Sequence, residues 1–441
     1  MACNNIKTLE VVIIGEVVSI SIGSYDFLSY KNTFGDLLLP FSMRDLHLDS
    51  VTEDGETYTR RYFLTTVVKI KKCLDALGYT IDAAKSIFEQ EKKERIEYAS
   101  DDTDEYIKPE FTSEQLEKEF TFEAWSLAAK HFASILSKDT FDIEHCQHGY
   151  KELEQQYKLP HSLAEHIVLH SLPFNEDETF FGIDCFSDPH KWFHSPWEIF
   201  RVLLDAFSDE QEVVLDYTNL YEGGWCDEIP EQELLNVPKT IILTEGKTDV
   251  NVISQAMDIL YPYMSKHYSF IDFGMANVQG STNFLTHYLK AFIGAHIQNR
   301  IIALYDNDAA GLSEILALKS IKIPDNIRVL HLPDIKLCES YPTIGPTADE
   351  NVNINGRACS IELFLGMDVL SEKGALTPIM WTGYNEKTKS YQGVITHKGE
   401  IQRKFENKIL NAKKEGVHDI INWNELDTLL NYIFMAFQNP V

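Results

Sequence analysis

The chain lacks the cysteine patterns of small metal-binding and disulfide-stabilised folds. Its 441 residues include seven cysteines, and no two of these form a C-x-x-C pair. Zinc ribbons need such closely spaced thiols, and secreted disulfide frameworks need many cysteines in a short chain. The cysteine usage therefore argues against both classes and predicts a reducing, cytoplasmic location.

Long apolar segments and an excess of basic residues are also missing. No stretch approaches the roughly 20 apolar residues that span a bilayer, and the start, MACNNIKTLEVV, has no basic signal-peptide region. The sequence thus predicts no membrane partner. Lys and Arg number 39 against 68 Asp and Glu, a net charge of −29. This balance disfavours broad, non-specific attraction to nucleic acid but leaves room for a local basic surface.

The length and the local composition predict three domains. Residues 1–236 should form a mixed domain, first β-rich and then helical, that ends in the acidic, Pro-containing stretch 227–238. Residues 237–335 should form an α/β domain, and residues 336–441 should extend it and complete its active site. In the first domain, helical spacing is expected from Arg60 onward, with Gly78 as the helix stop.

The most specific signal lies in residues 239–311, where two short apolar runs each end at carboxylates. Runs this short and this apolar are typical of strands buried on both faces of a parallel sheet. The expected strands are Thr240–Thr244, Tyr268–Phe273, Arg300–Tyr305 and Ile327–Leu332. The expected helices are Val250–Tyr261, Asn283–Ile293, which follows a turn at Gly280, and Ala310–Leu318. This alternation predicts an α/β fold with right-handed crossovers.

The carboxylates at the strand ends form the candidate site. Glu245 and Asp249 follow the first run, and Asp306 and Asp308 follow the other. Ligands of such sheets lie beyond the carboxyl ends of the strands, and clustered carboxylate oxygens suit a hard cation such as Mg²⁺. The alternative is structural, since acids also cap strand ends and pair with helix N-termini.

The motif pair E-G-x-x-D and D-x-D strongly resembles the Toprim domain. Type IA and type II topoisomerases, bacterial primases and OLD-family nucleases share that domain, and the resemblance implies a Rossmann-like parallel sheet flanked by helices. The D-x-D-x-E pattern of topoisomerases is absent because position 310 is Ala310. No nucleotide cofactor is expected, because Gly246-Lys247-Thr248 follows Ile241 where a Walker A loop needs Gly.

The OLD-like nucleases are the Toprim branch that this sequence resembles most. Their pattern adds an acid four residues after the first Glu, here Asp249, and a later S-x-E, here Ser360 and Glu362. It also includes a distal lysine. Lys398 is the first candidate for that lysine, with Lys404 and Lys408 as alternatives.

Segments outside the Toprim core resemble the HEPN/Toprim-associated family of bacterial conflict-system proteins. They are SYDFLSYKNTF, LDALGYTIDAAK, NGRACSIELFLG and TPIMWTGYNEKTKSYQGVI. In that family a common N-terminal module is joined to a HEPN ribonuclease or to a Toprim domain. The HEPN pattern R-x(4–6)-H does not occur here, so the resemblance implies the Toprim type and a role in anti-phage defence.

The resemblance implies a nuclease that uses Mg²⁺ or Mn²⁺, with two ions about 4 Å apart. Four acids would hold the first ion, and Glu362 with Ser360 would complete the second site. The residues expected to be catalytic are Glu245, Asp306, Asp308 and Lys398; those expected to bind metal are Glu245, Asp249, Asp306, Asp308, Ser360 and Glu362.

A non-catalytic Toprim subunit that signals to a partner enzyme is the alternative function. Expected partners are a nucleic acid, either DNA or RNA, a separate defence-system protein, and further copies of the chain. Residues 370–415 carry nine basic and five acidic side chains, a local charge of 9 − 5 = +4. This segment is the expected surface for phosphate contact.

Overall fold

The structure, a computed structural model, describes residues 17–23, 25–31, 34–53, 55–99, 112–138, 162–170, 196–237, 239–271, 282–345, 350–415 and 420–438. The chain divides into two compact units, Met1–Asn236 and Val237–Val441. Each unit contains both helices and strands. The turn expected at Gly280 and the last residues of the strand expected to end at Phe273 lie outside the described residues.

The first unit contains a five-stranded antiparallel sheet in the order β2-β1-β5-β4-β3. The central strand β5 comes from near the end of the unit and pairs with both β1 and β4, so the sheet joins distant parts of the sequence. The strands are β1 (Val17–Ile22), β2 (Tyr25–Lys31), β3 (Leu46–Glu53), β4 (Glu56–Thr66) and β5 (Glu212–Asp216).

Helices of the first unit pack on this sheet through a core rich in Phe, Leu and Ile. The helices are α1 (Val67–Leu77), α2 (Ile81–Ala99), α3 (Ser113–Glu119), α4 (Phe122–Leu136), α5 (Leu163–His170), α6 (Pro196–Leu203), α7 (Thr218–Glu222) and α8 (Glu231–Leu235). Gly78 ends α1 in the left-handed conformation, with φ at 94°, as the sequence predicts. Helix α8 forms within the stretch that was expected to be a linker.

The expectation of helix from Arg60 onward is wrong for the first seven residues. Strand β4 continues to Thr66, and the helix begins at Val67. Every second residue is buried here, namely Arg61, Phe63 and Thr65, whereas the residues between them are only partly buried. Pairing with β3 and β5 on both sides therefore decides the conformation, because β-branched and aromatic residues favour a doubly paired strand.

The second unit contains a four-stranded parallel sheet in the order β10-β8-β6-β7. Its strands are β6 (Thr240–Leu243), β7 (Tyr268–Phe270), β8 (Ile301–Tyr305) and β10 (Ile327–His331), and a two-residue strand β9 (Asn307–Asp308) follows β8. The flanking helices are α9 (Lys247–Leu260), α10 (Pro262–Ser265), α11 (Thr282–Gly294) and α12 (Ala309–Leu318). The α/β fold expected from the sequence is present.

The strand order places a topological switch between β6 and β8. The chain leaves β6 for β7 on one side, and β8 and β10 then lie on the other side. All five residues of β8 are buried, and alternate ones, Ile301, Ala303 and Tyr305, form a core with the leucines Leu243, Leu285 and Leu289. Loops that follow strands on the two sides of a switch point diverge and leave a crevice between them, where ligands of such sheets bind.

The C-terminal part of this unit adds short strands and three helices. The strands are β11 (Tyr341–Ile344), β12 (Glu350–Val352), β13 (Ala358–Cys359), β14 (Ser371–Glu372), β15 (Ala375–Leu376), β16 (Ile379–Asn385) and β17 (Ser390–Ile395), and the helices are α13 (Met367–Leu370), α14 (Lys398–Glu415) and α15 (Asn424–Phe434). Glu362 was expected in a helix and lies in a single 3₁₀ turn, Ile361–Phe364. No helix among the described residues is long and apolar enough to cross a bilayer.

Gly311, in the first turn of α12, allows the helix to approach the end of β8 closely. A Cβ atom at this position would lie 2.3 Å from the carbonyl oxygen of Asp306. Such a contact forces a backbone shift, because neither partner is a flexible side chain. The glycine of DNDAAG is therefore required by packing.

We expect Gly311→Ala to lower the free energy of unfolding by about 1–3 kcal/mol, measured by urea denaturation. Gly294→Ala is the matched control, since a Cβ there meets no atom within 4 Å, and its effect should stay within about 0.5 kcal/mol. Equal stability of Gly311→Ala and wild type would contradict the proposed close approach.

Candidate active site at the sheet switch point

The two acidic motifs meet at the carboxyl ends of β6 and β8. Oε1 of Glu245 accepts a hydrogen bond from the backbone N–H of Asp306 at 2.9 Å, although the residues are 61 positions apart. The contact follows from the register, because Leu243 pairs with Ala303 and both strands end at the same edge. The first acid of one motif thereby holds the backbone of the other.

Asp249 joins this pair from the first turn of α9. Its Oδ2 accepts the backbone N–H of Gly246 at 2.8 Å, so the side chain folds back over the start of the helix. Burial, and then the carboxylates of Glu362 and Glu245, raise the pKa of Asp249 to about 7. Like charges that disfavour ionisation in this way lie close to one another.

Asp306 is surrounded by the other acids. Burial raises its pKa well above the ordinary value, and Asp249, Glu245, Asp308 and Glu362 raise it further. Within the described part of the chain, no protein group donates a hydrogen bond to its carboxylate. Its charge therefore has no local compensation from a hydrogen-bond donor.

Asp308 also stabilises the fold through hydrogen bonds. Its Oδ1 accepts the backbone N–H of Gly311 at 2.7 Å and caps α12, and its Oδ2 accepts a short hydrogen bond from the Gln392 amide. Burial raises the pKa of Asp308, and these hydrogen bonds oppose that rise. The capping alternative thus describes part of its role, although each carboxylate oxygen keeps further lone pairs for a ligand.

Glu362 reaches the cluster through a short β-bridge. Strand β13 pairs antiparallel with β9, so that Ala358 lies opposite Asp308. Ser360 follows directly and donates its hydroxyl to Oε2 of Glu362 at 2.7 Å. The Glu362 side chain is 0 % exposed, and its Oε1 lies 2.8 Å from the ammonium of Lys398. This oxygen receives no hydrogen bond of good geometry, so the ion pair compensates its charge.

The structure separates the three candidate lysines. Lys398 contacts the acidic cluster through Glu362, and 55 % of its side chain is exposed. Lys404 donates to the Ser371 carbonyl at 2.9 Å. Lys408 donates to the carbonyls of Leu365 and Asn422 and pairs with Asp368, which identifies it as a structural lysine.

Electrostatics keep Lys398 protonated at neutral pH. Burial by itself would lower the pKa of its ammonium, but the carboxylates of Glu362, Asp306 and Asp249 outweigh this and raise it. Lys398 is the first residue of α14, where the helix dipole disfavours a cation. The acidic cluster therefore stabilises a charge that the helix alone would not.

Sequence reasoning missed two polar residues that position the acids. Asn307, the middle residue of D-x-D, is buried; its amide donates to Asp334 at 2.7 Å and its Oδ1 accepts the N–H of Gly356 at 3.0 Å. Gln392 accepts the Ala310 N–H at 2.9 Å while its amide donates to Asp308. No local pattern identifies Gln392, because its role depends on where a distant hairpin packs.

The five acids fit a divalent cation by chemistry and by charge. Carboxylate oxygens are the ligands that Mg²⁺ prefers, and a cation would relieve the mutual repulsion that raises the pKa values of Asp249 and Asp306. No three His, Cys, Asp or Glu side chains of the described residues already stand around one point as ligands. Asp306, with no hydrogen bond to break, is the side chain best able to rotate toward an ion.

We expect Asp249→Asn to be more stable than wild type at pH 8 in the presence of a chelator. The folded-state pKa of about 7 lies above the ordinary value of 3.8, so the folded wild type binds an extra proton between these values. Its stability therefore falls as the pH rises through that window. The amide removes the charge but still accepts the Gly246 N–H.

The gain should be about 1–3 kcal/mol at pH 8 and should vanish near pH 4, measured by urea denaturation at each pH. The control Glu372→Gln replaces an exposed acid of the same unit. It should leave the free energy of unfolding unchanged at both pH values. A pH-independent difference would contradict the charge repulsion.

Comparisons with known proteins bear on the first unit. A family model described as HEPN/Toprim N-terminal domain 1 matches residues 14–239, more than half of the chain. No curated protein and no solved structure gives a significant match. The match covers the antiparallel sheet and helices of the first unit and ends just before β6, so it bears on that unit and not on the carboxylate cluster. The chain belongs to the HEPN/Toprim N-terminal domain 1 family.

Proposed function

We propose that this protein is a metal-dependent nuclease that hydrolyses phosphodiester bonds, with a Toprim domain of the OLD-like branch in residues 237–335 and an extension in residues 336–441. The single observation that carries the proposal is the convergence of Glu245 with Asp306 at the switch point of the parallel sheet. The description of the matched family names HEPN and Toprim domains, which supports a nuclease-associated role.

The acids have distinct proposed roles. Glu245, Asp249, Asp306 and Asp308 would hold one Mg²⁺ or Mn²⁺ ion, and Glu362 with Ser360 would hold a second. Bound divalent cations activate water and stabilise the leaving oxygen of a phosphodiester. Backbone N–H groups of Asp306, Gly246 and Gly311 fix the carboxylates before any ligand arrives, which reduces the reorganisation that catalysis requires.

Lys398 has the geometry of a phosphate-neutralising residue. Its ammonium is anchored to buried Glu362, yet more than half of the side chain is exposed. Its raised pKa keeps the charge at neutral pH. A fixed, accessible cation beside an acidic cluster stabilises charge that develops on phosphoryl oxygens in the transition state.

A second candidate is a non-catalytic Toprim subunit that binds nucleic acid and signals to a partner enzyme. One observation favours it: Asp308 uses both carboxylate oxygens in hydrogen bonds to the fold. The bacterial defence role, the cytoplasmic location and the assembly into homo-oligomers are part of the same proposal. The defence role rests on the family resemblance, and the cytoplasmic location rests on the cysteine usage.

Asp306→Asn should abolish cleavage without loss of folding. The substitution removes one charge from the cluster, and no described protein hydrogen bond to the carboxylate is lost. We expect at least a hundredfold slower cleavage, about 3 kcal/mol in the barrier, of plasmid, single-stranded DNA and tRNA with Mg²⁺ or Mn²⁺. EDTA should have the same effect on wild type.

Asp325→Asn, at an exposed acid after α12, is the control and should cut at the wild-type rate. Wild-type activity that survives EDTA would sink the proposal. A wild type that binds nucleic acid but never cuts it would favour the signalling subunit.

Lys398→Met should lower kcat by roughly 10²–10³-fold. It should also lower the midpoint of thermal unfolding, because the buried Glu362 carboxylate loses its ion-pair partner. The matched control is Lys404→Met, which removes a lysine of the same helix that bonds to the Ser371 carbonyl. That variant should lose stability rather than kcat. Equal kcat losses in both variants would show that Lys398 has no special role.

A further inference from the structure

The hairpin formed by β16 and β17 exposes an aromatic surface. Tyr384 and Tyr391 are cross-strand partners, their ring centroids lie 5.3 Å apart in an edge-to-face arrangement, and Trp381 lies 6.2 Å from Tyr391. We call these three residues the aromatic face. Tyr384 is 56 % exposed and Tyr391 is 47 % exposed, so about half of each tyrosine is open to solvent.

The hairpin that carries the aromatic face is anchored directly to the candidate site. Gln392, next to Tyr391, donates to Asp308 and accepts the Ala310 N–H. Asn385, next to Tyr384, donates to the Ala309 carbonyl at 3.1 Å. Because neighbouring side chains of a strand point to opposite faces, the two rings lie on the face of the hairpin opposite to these anchoring side chains. The anchors fix the hairpin, and with it the position of the rings.

The charge around the aromatic face is basic in an acidic protein. The turn of the hairpin carries Lys387 and Lys389 with one acid, Glu386. The wider segment 370–415 has a charge of 9 − 5 = +4, while the whole chain has −29. Protein–protein interfaces are depleted in lysine, whereas lysines beside exposed rings are typical of surfaces that follow a nucleic-acid backbone.

A purely structural role explains less. Cross-strand aromatic pairs do stabilise hairpins, and that would account for the ring contact. It does not account for rings that stay half exposed beside two lysines. The same hairpin also exposes an apolar side chain without a ring, because Met380 is 46 % exposed. Met380 therefore allows the effect of exposed apolar area to be compared with that of the rings.

We infer that the aromatic face binds unpaired bases of a single-stranded nucleic acid, with Tyr384 and Tyr391 as the stacking platform. This inference rests on the proposed function, because it names the substrate class of the same site. Base stacking needs an open π-face, which a duplex hides and a single strand offers. A strand held there would run along the exposed face of the hairpin whose other face contacts Asp308 through Gln392, and its phosphates would meet Lys387 and Lys389 at the turn.

The test measures binding separately from cleavage. Fluorescence anisotropy in EDTA is recorded with labelled single-stranded DNA, single-stranded RNA and the matched duplex, each about 12 nucleotides long. Wild type should bind a single strand more tightly than the duplex. Tyr384→Ala with Tyr391→Ala should weaken single-strand binding about 10–100-fold, and Tyr384→Phe with Tyr391→Phe should retain it. The DNA and RNA arms decide which sugar is preferred.

Met380→Ala is the matched control and should bind like wild type, because it removes exposed apolar area without a ring. An equal loss in Met380→Ala, or wild-type binding by the double alanine variant, would overturn the inference. A double alanine variant whose sedimentation coefficient changes while its nucleic-acid binding does not would also overturn the inference. That result would identify the aromatic face as a protein interface. Duplex cleavage without single-strand preference would overturn the inference but leave the nuclease proposal intact. Tyrosine-dependent binding without any cleavage would support the inference and remove the nuclease.

Discussion

Mutual repulsion among carboxylates is the constraint on which the second unit depends. Five acids occupy the crevice between β6 and β8, and burial, followed by their mutual repulsion, raises the pKa values of Asp249 and Asp306. Like charges separate unless the fold holds them. Three of them accept hydrogen bonds from main-chain N–H groups at strand ends or helix starts, and Glu362 accepts one from the Ser360 hydroxyl. These hydrogen bonds thus hold the carboxylates close together against their mutual repulsion.

The C-terminal extension is part of this arrangement because three of its segments touch the site. Strand β13 pairs with β9 and brings Glu362 to the cluster. The hairpin reaches Asp308 and Ala310 through Gln392, and α14 begins with Lys398. Residues well beyond the parallel sheet, whose last strand ends at His331, therefore complete its crevice. Cys359 of β13 and Cys338 are both buried, and their sulfurs lie 3.6 Å apart.

The family match and the candidate site are independent lines of evidence that concern different parts of the chain. The match covers residues 14–239, and every residue of the carboxylate cluster lies beyond it. The first unit has its own sheet and hydrophobic core, so its fold does not depend on the carboxylate cluster of the second unit. A shared N-terminal module with variable C-terminal partners is consistent with this independence.

The parallel sheet and the acids at its strand ends could be predicted from the order of residues alone. Strongly apolar runs such as Ile301–Tyr305 are stable only when buried on both faces, and the motifs beginning at Glu245 and Asp306 follow them directly. The sequence-based prediction was wrong for residues 60–66, because pairing on both edges of β4 overrides a local helical spacing. It placed Lys398 ahead of Lys404 and Lys408, although the three lysines share one helix and no local pattern separates them. The contacts of Lys398 with Glu362 and of Gln392 with Asp308 come from tertiary packing alone, since contacts between distant segments depend on how the hairpin and α14 pack on the sheet.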